Sequence, residues 1–417
     1  MTETAETSAS LVRIVEVDGK GRALVSSVPL RAGQIVLRDS PVLLYSALPL
    51  LTPPESSKES PNFKYCSHCF RLVSGAQLSC SPCPSCSLSV FCSPRCQSLS
   101  LSTSHTLWVC QALKQLQSFP SARLQGSTDL QVQMCFLFAA YNLAIVSPTN
   151  FHTLLSLQGD PSLFLNSTET ANSTTFLHSL VSSLLLPSVN QDAVAFSFSL
   201  ELTAALLAKD KLNAFGLMEP FTPDKERSVR AYGIYPRASF FNHDCLPNAC
   251  RFDYVDGTPA DVNNTDIIVR VIHDVPVGRE ICVSYFPVNL KYAERQRRLK
   301  EDYGFICDCD RCKVEANWSD QEEEELEEEN FGDENEAAMD EDDDEEMVAD
   351  EYGGVAEDAS DFPHAYFFLE YMCNRENCWG TLAPLPPSDM TPSTVMECNV
   401  CGYLRNSNDP LDAGVLK

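Results

Sequence analysis

The chain has 417 residues, enough for about two or three packed units, and its 58 Asp and Glu against 30 Lys and Arg give a formal net charge of −28. Residues 319–361 contain 23 of these acids and no Lys or Arg, so the remainder is close to neutral and a strongly acidic enzyme surface is excluded. The longest apolar run, the 13-residue stretch Met134–Val146, is shorter than the roughly 18 residues of a membrane span and predicts a buried helix.

The N-terminal sequence MTETAETSAS has neither the basic nor the apolar region of a secretory signal. We therefore expect the 19 cysteines to lie in a reducing compartment. Clustered cysteines in such a compartment indicate metal sites and not a disulfide framework.

In chain order, residues 11–45 predict short strands joined by the turns DGKGR and PLRAG. Residues 111–212 are helical in pattern, because Leu and Ala recur at three and four positions in QVQMCFLFAAYNLAI and FSLELTAALLAK. The intervening stretch, rich in Ser, Thr and Asn, predicts loops. Residues 229–286 return to strands, and Leu290–Tyr303 predicts a basic amphipathic helix.

The first cysteine block spans residues 66–110 and combines CxxC knuckles with further thiols and one imidazole. Zinc prefers four tetrahedral ligands, and a knuckle supplies two thiolates from one turn. Eight donors predict two zinc sites, which would supply much of the folding free energy of so small a segment. Buried free thiols are the alternative interpretation, and Cys80 offers a competing pair with Cys83.

This block resembles a MYND finger, including an aromatic residue before one cysteine and a Cys-Gln pair. The resemblance implies interleaved pairing and a finger that binds short peptide motifs of partner proteins, or that only braces the fold. The spacing from His105 to Cys110 is one residue longer than the usual pattern. One ion would be held by Cys66, Cys69, Cys92 and Cys96, and the other by Cys83, Cys86, His105 and Cys110.

Three further motifs follow: Asn-His-Asp-Cys at 242–245, Gly-Arg-Glu-Ile-Cys-Val-Ser-Tyr at 278–285, and Cys307-Asp-Cys309 with Cys312. The last supplies three thiolates, whereas a closed structural zinc site needs four ligands. Cys245 is a candidate for the fourth, because it lies in an Asn-His-rich turn. A metal held there would fasten the C-terminal helix against that turn.

Together these motifs resemble the SET domain of protein lysine methyltransferases, specifically the SET-plus-MYND (SMYD-like) subgroup. The turn at 19–22 and the segment 29–33 resemble the first strand pair of that domain. The resemblance implies an α+β fold with a β-rich SET domain, split by a finger and a helical insert and followed by a cysteine-rich post-SET segment. The expected units are SET at 11–60 and 213–288, finger at 61–112, insert at 113–212, and post-SET at 289–315.

The C-terminal region holds the acidic segment and a second cysteine-bearing unit. Residues 316–361 cannot bury enough apolar surface to fold and predict a disordered linker, which is either a solvated spacer or a segment that steers basic partners such as histone tails. Residues 362–417 predict a zinc-ribbon-like unit and a fourth ion, in a short form lacking the C-terminal helical repeat domain of larger family members. Its ligands would be Cys373, Cys378, Cys398 and Cys401; Cys80, Cys135, Cys250 and Cys282 are left as core thiols.

The resemblance implies an S-adenosylmethionine-dependent protein-lysine N-methyltransferase. Tyr285 would be the catalytic tyrosine, with Tyr303 and Tyr235 lining a channel for the substrate lysine. An apolar aromatic channel beside the cationic sulfonium favours the neutral amine that attacks the methyl group. Relative to the family pattern, Asp244 replaces a small hydroxyl residue and Lys20 replaces Asn. The cofactor pocket would comprise Gly19, Lys20, Gly21, Asn213, Asn242, His243, Tyr285 and Phe305.

Several alternatives stay open at the level of sequence. The substrate is a histone tail or a non-histone lysine, and a catalytically weak scaffold that recruits partner proteins is the competing function. The basic helix at 291–300 resembles a nucleic-acid or import patch, but its interleaved Glu residues favour a structural linker. We expect a monomer without membrane contact, in the nucleus, the cytoplasm or both.

Overall fold

The computed structural model describes residues 10–51, 65–73, 81–118, 121–185, 198–225, 227–256, 265–316, 365–388 and 391–408. The predictions for the acidic segment 319–361 and for Cys80 lie outside these residues. Within them, small antiparallel sheets surround one apolar core, and a helical insert packs beside them around a second core.

The N-terminal segment forms the predicted strands: β1 (Val12–Val17), β2 (Gly21–Ser26), β3 (Ile35–Asp39) and β4 (Leu43–Ser46). Strands β1 and β2 make a hairpin in which Val17 is opposite Gly21. The two later strands join sheets completed by residues about 230 and about 190 positions further on, because β3 pairs with β11 and β4 pairs with β8, both defined below.

The finger contains the short pair β5 (Ser81–Pro82) and β6 (Val90–Phe91), followed by α1 (Pro94–Thr103). Helix α1 begins where Ser93 accepts a hydrogen bond from the backbone N–H of Cys96, a standard N-cap that satisfies one free amide. The thiols of this unit form most of its own small core.

The insert consists of α2 (Leu107–Ser118), α3 (Ala122–Gln125), α4 (Thr128–Val146), α5 (Pro148–Leu155), α6 (Ser162–Leu165), α7 (Thr168–Leu185) and α8 (Leu200–Asn213). Helix α4 is the centre of this core, as its apolar run predicts. By length and composition α4 alone among the described helices could cross a membrane, but 61% of its 18-residue window is buried inside the protein.

The loop prediction for the Ser-, Thr- and Asn-rich stretch was wrong, because most of its described part forms α5, α6 and α7. Helix α7 buries Leu177, Val181 and Leu184 against the insert core. Thr174 is also buried, and its hydroxyl donates to the Thr170 carbonyl at 2.8 Å. The tertiary burial of one apolar face thus outweighs the low helix propensity of the polar residues.

The second half of the SET region contains β7 (Ala214–Met218), β8 (Val229–Ile234), β9 (Asn242–His243), β10 (Ala249–Asp253), β11 (Ile267–Val271) and β12 (Cys282–Val283). These give the sheets β4-β8-β7 and β10-β11-β3, together with a parallel pair, β9 and β12. The predicted basic helix follows as α9 (Tyr292–Arg298) and a π-helical turn (Leu299–Tyr303), and α10 covers 310–316.

The C-terminal unit has α11 (Ala365–Tyr371) and a three-stranded antiparallel sheet of β13 (Leu382–Pro384), β14 (Val395–Cys398) and β15 (Leu404–Asn406). It packs on the SET sheet, where Ala383 shares a small core with Cys250 and Phe252 of β10. A Cβ built on Gly33 would lie 2.4 Å from the Leu385 carbonyl oxygen, so the two units are in close backbone contact.

Candidate cofactor pocket and metal centres

The turn between β1 and β2 is open above its two glycines. Gly19 and Gly21 have φ of 72° and 74°, and nothing lies within 4 Å of a Cβ built on either. Between them, Lys20 donates to the Glu280 carboxylate at 3.2 Å, and the other carboxylate oxygen accepts from the Asn242 amide at 2.8 Å. Burial lowers the pKa of Lys20, but the Glu280 charge outweighs it and the net pKa is raised. Lys20 is therefore a firmly charged ammonium at this turn.

The parallel pair of β9 and β12 places two of the sequence motifs side by side. Asn242 is opposite Cys282, and His243 is opposite Val283. The amide of Asn248 holds this pair, since it donates to the Glu280 carbonyl at 2.8 Å and accepts from the Cys282 N–H at 2.9 Å. One side chain thus makes both of the hydrogen bonds that a neighbouring strand would otherwise supply.

Tyr285 lies at the end of this pair in an aromatic cluster. Its hydroxyl donates to the Phe241 carbonyl at 3.0 Å, and its ring centroid is 4.7 Å from that of Tyr303 and 5.2 Å from that of His243. Burial raises the pKa of both tyrosines, so both phenols are neutral at physiological pH. Burial also lowers the pKa of His243 to about 3, and its neutral ring accepts from the Tyr285 N–H at 3.2 Å.

The structure places three other predicted pocket residues in separate contacts. Tyr235 is fully buried, and its hydroxyl donates to the Thr265 carbonyl at 2.7 Å. Asn213 ends α8, and its amide donates to the carbonyls of Gln158 and Lys209 in the insert. Phe305 follows the π-helical turn and is 38% exposed.

The predicted metal ligands come together in four groups of four, and within each group the ligand atoms lie within 4.8 Å of one another. Sulfur atoms bound tetrahedrally to zinc at about 2.3 Å are about 3.8 Å apart. The observed Sγ separations are 3.7 Å for Cys69 and Cys92, 3.5 Å for Cys245 and Cys312, and 3.5 Å for Cys378 and Cys398. The groups are Cys66, Cys69, Cys92 and Cys96; Cys83, Cys86, His105 and Cys110; Cys245, Cys307, Cys309 and Cys312; and Cys373, Cys378, Cys398 and Cys401.

The backbone of the CxxC turns provides a second observation that fits metal binding. Apart from Cys309–Cys312, which leads into α10, the residue after the second cysteine has positive φ: 53° at Phe70, 56° at Ser87 and 67° at Gly402. Each also donates its N–H to the carbonyl of the first cysteine, at 2.9, 2.9 and 3.0 Å. Phe70 and Ser87 adopt a conformation that non-glycine residues rarely occupy. The shared geometry turns both thiols of a knuckle toward one point.

The third group is directly connected to the pocket. The Cys245 Sγ lies 3.2 Å from His243 Nε2, while the other ring nitrogen accepts from the Tyr285 backbone. Ligands from α10 and the preceding loop therefore meet the Asn-His turn at a single cluster. This joins the C-terminal part of the SET region to the strand that carries Tyr285.

Glu280 and Asn248 have central places in the pocket that the sequence reasoning did not assign. Glu280 lies inside the motif at 278–285 and Asn248 lies three residues after the motif at 242–245, but their partners are defined only by the fold. The sequence held one signal, the replacement of Asn by Lys20 in the glycine turn, whose ammonium pairs with Glu280 although its side chain is 46% exposed. Glu280 and Asn248 thus connect the glycine turn, the Asn-His strand and β12.

Comparison with known proteins identifies the class to which this architecture belongs. The SET domain model matches residues 21–286, a span that begins at the second glycine of the turn and includes the finger, the insert and Tyr285. The chain belongs to the SET-domain family.

Among curated proteins, the histone-lysine N-methyltransferase ASHR2 of Arabidopsis thaliana is 55% identical over 405 residues, which cover 95% of this chain and 96% of that protein. The human histone-lysine N-methyltransferase SMYD3 is 29% identical over 116 residues, covering 26% of this chain and 25% of that protein. Among solved structures, the SET domain of LSMT bound to lysine and AdoHcy superposes with a TM-score of 0.31 at 14% identity, over 72% of this chain and 54% of that one.

Proposed function

We propose that this protein is an S-adenosylmethionine-dependent protein-lysine N-methyltransferase whose pocket is built on the parallel pair of β9 and β12. SET-family membership and near full-length similarity to a protein named as a histone-lysine methyltransferase support the activity. The observation that carries the site is the Lys20–Glu280–Asn242 bridge, because it joins the open glycine turn to the strand beside Tyr285.

The glycine turn and the Asn-His strand bind the cofactor. S-adenosylmethionine supplies the methyl group; the open backbone at Gly19 and Gly21 admits it closely, and charged Lys20 attracts its carboxylate. Asn242 and His243 form the floor of this pocket. Asn213 and Phe305 would close its sides.

Tyr285 and Tyr303 form the channel for the substrate lysine. Methyl transfer is an in-line displacement, so most of the rate gain comes from holding the amine in line with the methyl group. The buried phenols are neutral and present oxygens that orient the amine. An apolar, aromatic surrounding disfavours an ammonium ion, which keeps the amine in its reactive neutral form. Tyr235 supports this channel from the core behind it, where it packs edge-on against Phe215.

All four cysteine-rich groups hold structural zinc in this proposal. Thiolate and imidazole donors in complete sets of four leave no open position for catalysis, which is typical of structural sites. The group at Cys245 fixes the Asn-His turn against the post-SET segment. The two groups of residues 66–110 form a MYND-like finger, for which we propose peptide motifs of other proteins as partners.

Core histones are the first substrate pool that we propose, since they are the substrate class named for ASHR2 and SMYD3. A chain that acts on histones works in the nucleus, and one that acts on other proteins can also work in the cytoplasm. We propose that it acts as a monomer.

The test is transfer of labelled methyl from S-adenosylmethionine to core histones and, separately, to a soluble cell extract. The Tyr285→Phe variant removes one hydroxyl and leaves the ring packing, so we expect turnover to fall at least about 100-fold with nearly unchanged cofactor binding. Label on lysine that depends on Tyr285 establishes the enzyme and its substrate pool. Cofactor binding without label in either pool would favour the scaffold function instead.

A further inference from the structure

We infer that Arg295 belongs to the metal centre at Cys245, Cys307, Cys309 and Cys312, as a charged residue that holds the thiolates from outside the ligand set. Arg295 has no exposed surface and is among the largest fully buried side chains of the described residues. Its Nε donates to Cys245 Sγ at 3.2 Å, and its Nη2 lies 3.7 Å from Cys312 Sγ. Two of the four ligands therefore share one guanidinium group.

The remaining donors of Arg295 fix its orientation. Nη2 also donates to the Glu315 carboxylate at 2.6 Å, and Nη1 donates to the Leu290 carbonyl at 2.6 Å. Only a planar fork with several N–H groups can serve thiolate, carboxylate and carbonyl together, which lysine cannot do. The side chain thus links the start of the post-SET helix to the metal ligands and to α10.

The net positive charge of this buried region is compensated only when the cysteines are thiolates. Glu315 is shared by Arg295 and Arg311, whose side chains are 0% and 6% exposed. Two guanidinium groups and one carboxylate leave one positive charge buried, which is costly when it is not compensated. Four thiolates around a divalent ion carry a net charge of −2 and supply that compensation. Metal loading and the burial of Arg295 are therefore coupled.

This coupling reaches both the pocket and the C-terminal unit. Cys245, which Arg295 contacts, touches the ring of His243 beside Tyr285. On the other side, Arg311 donates to the Val288 carbonyl at 2.6 Å, and its guanidinium lies 4.7 Å from the Phe368 ring centroid. Arg295 is a positioning residue in this arrangement, because it acts through the metal ligands and not on the substrate.

The inference rests on the zinc occupancy proposed above, so metal analysis of the purified full-length protein comes first. Four zinc ions per chain are expected, and fewer than three would overturn the ligand assignment independently of methyl transfer. Zinc release to an excess of a chromogenic chelator is then followed for the native chain, Arg295→Lys and Arg295→Met. Arg297→Met is the matched control, since Arg297 lies on the same helix with its side chain 59% exposed.

We expect one of the four ions to leave Arg295→Met about 10- to 100-fold faster than the native chain, and the other three at native rates. Arg295→Lys keeps the charge but not the fork, so it should fold and still release one ion about tenfold faster. With cobalt in place of zinc, both variants should shift the thiolate-to-metal absorption of one site, because the N–H···S bond is lost.

Release of all four ions at native rates in Arg295→Lys, with unchanged cobalt absorption, would overturn the inference. Equal acceleration of all four ions would also overturn it, because that pattern reports general destabilisation. If Arg295→Met does not fold, zinc release and cobalt absorption of Arg295→Lys alone test the inference. The cobalt spectrum separates a bond to sulfur from a packing role, which would leave the absorption unchanged.

Discussion

At the scale of single residues, Glu280 makes the contacts that connect the two sides of the proposed cofactor pocket. Its two carboxylate oxygens serve Lys20 and Asn242, which lie more than 200 residues apart in the chain. With only 18% of its side chain exposed, Glu280 has few alternative partners in solvent. It therefore fixes the distance between the glycine turn and the Asn-His strand.

We expect Glu280→Gln to weaken S-adenosylmethionine binding about tenfold, because the amide cannot pair with the Lys20 charge while it accepts from Asn242. Calorimetric titration of the cofactor measures this change. Glu301→Gln is the control, since Glu301 is 59% exposed and pairs with Arg297 on the surface. Unchanged affinity in Glu280→Gln would show that the bridge does not shape the pocket.

The residues that follow the second cysteine of a CxxC turn test a different effect, the free-energy cost of a positive φ. Gly402 has φ of 67° with open space around a built Cβ, so Gly402→Ala meets only the backbone cost, about 1 kcal/mol. Ser87 is exposed and has the same conformation, so Ser87→Gly should be neutral or stabilising. Unfolding by denaturant measures both variants. Equal effects of the two substitutions would contradict the backbone explanation.

At the scale of elements, local pattern predicted the strands of residues 11–45 and helices α4 and α8, because their apolar residues recur with the period of the element. It failed for α7, whose helical state depends on burial against α4 and α8 that no local window contains. Pairings such as β3 with β11 were likewise beyond composition and spacing. Knuckle spacing predicted that these cysteines bind metal, whereas the interleaved grouping within residues 66–110 came from the MYND resemblance, because no local window assigns one knuckle to another.

The junction of α8 with β4 contains a partly buried acid that the mechanism does not use. Asp210 accepts a short hydrogen bond from the Tyr45 hydroxyl, and Tyr45 stacks on Tyr232 at 5.5 Å. Burial raises the pKa of Asp210 to about 7, while the Tyr45 hydrogen bond lowers it to a smaller extent. The folded protein therefore binds this proton more tightly than the unfolded chain.

Because the folded pKa exceeds the ordinary value of 3.8, the stabilising contribution is complete below about pH 4 and is lost as the pH rises to about 7. The amide of Asp210→Asn does not titrate, so this variant does not lose stability in this way as the pH rises. We expect its free energy of unfolding, relative to the native chain, to rise by about 3 kcal/mol between pH 4.5 and 7.5. Urea unfolding at several pH values measures the difference, and a constant difference would contradict the buried, protonated carboxyl.

At the scale of the whole molecule, the C-terminal unit is part of the catalytic fold. Its Glu397 pairs with Arg270 of β11 at 2.8 Å and accepts from the Tyr254 hydroxyl at 3.0 Å. The side chain of Arg270 is 3% exposed and lies 3.6 Å from the Phe252 ring centroid. The sequence predicted a ribbon from its cysteines but not this docking, because the contacts join residues more than 100 positions apart.

Glu397→Ala would leave the Arg270 guanidinium buried without its carboxylate, which costs about 3 to 5 kcal/mol. Since the ribbon and the SET sheet share a core, we expect this loss to lower the stability of the whole protein in one transition. Trp108 of α2 reports the insert, far along the chain from the substitution, once Trp318→Phe and Trp379→Phe remove the other tryptophans.

In that background, Glu397→Ala should shift the denaturation midpoint seen by Trp108 fluorescence, while Glu376→Ala, an exposed acid of the same unit, should leave it in place. A midpoint that is unchanged in Glu397→Ala would mean that the ribbon unfolds by itself. A midpoint that shifts in Glu397→Ala would mean that the ribbon and the insert unfold together, so the ribbon stabilises the whole enzyme. Arg311, near the end of one described range at 316, and Phe368, near the start of the next at 365, are also in contact, so the post-SET segment takes part in this docking.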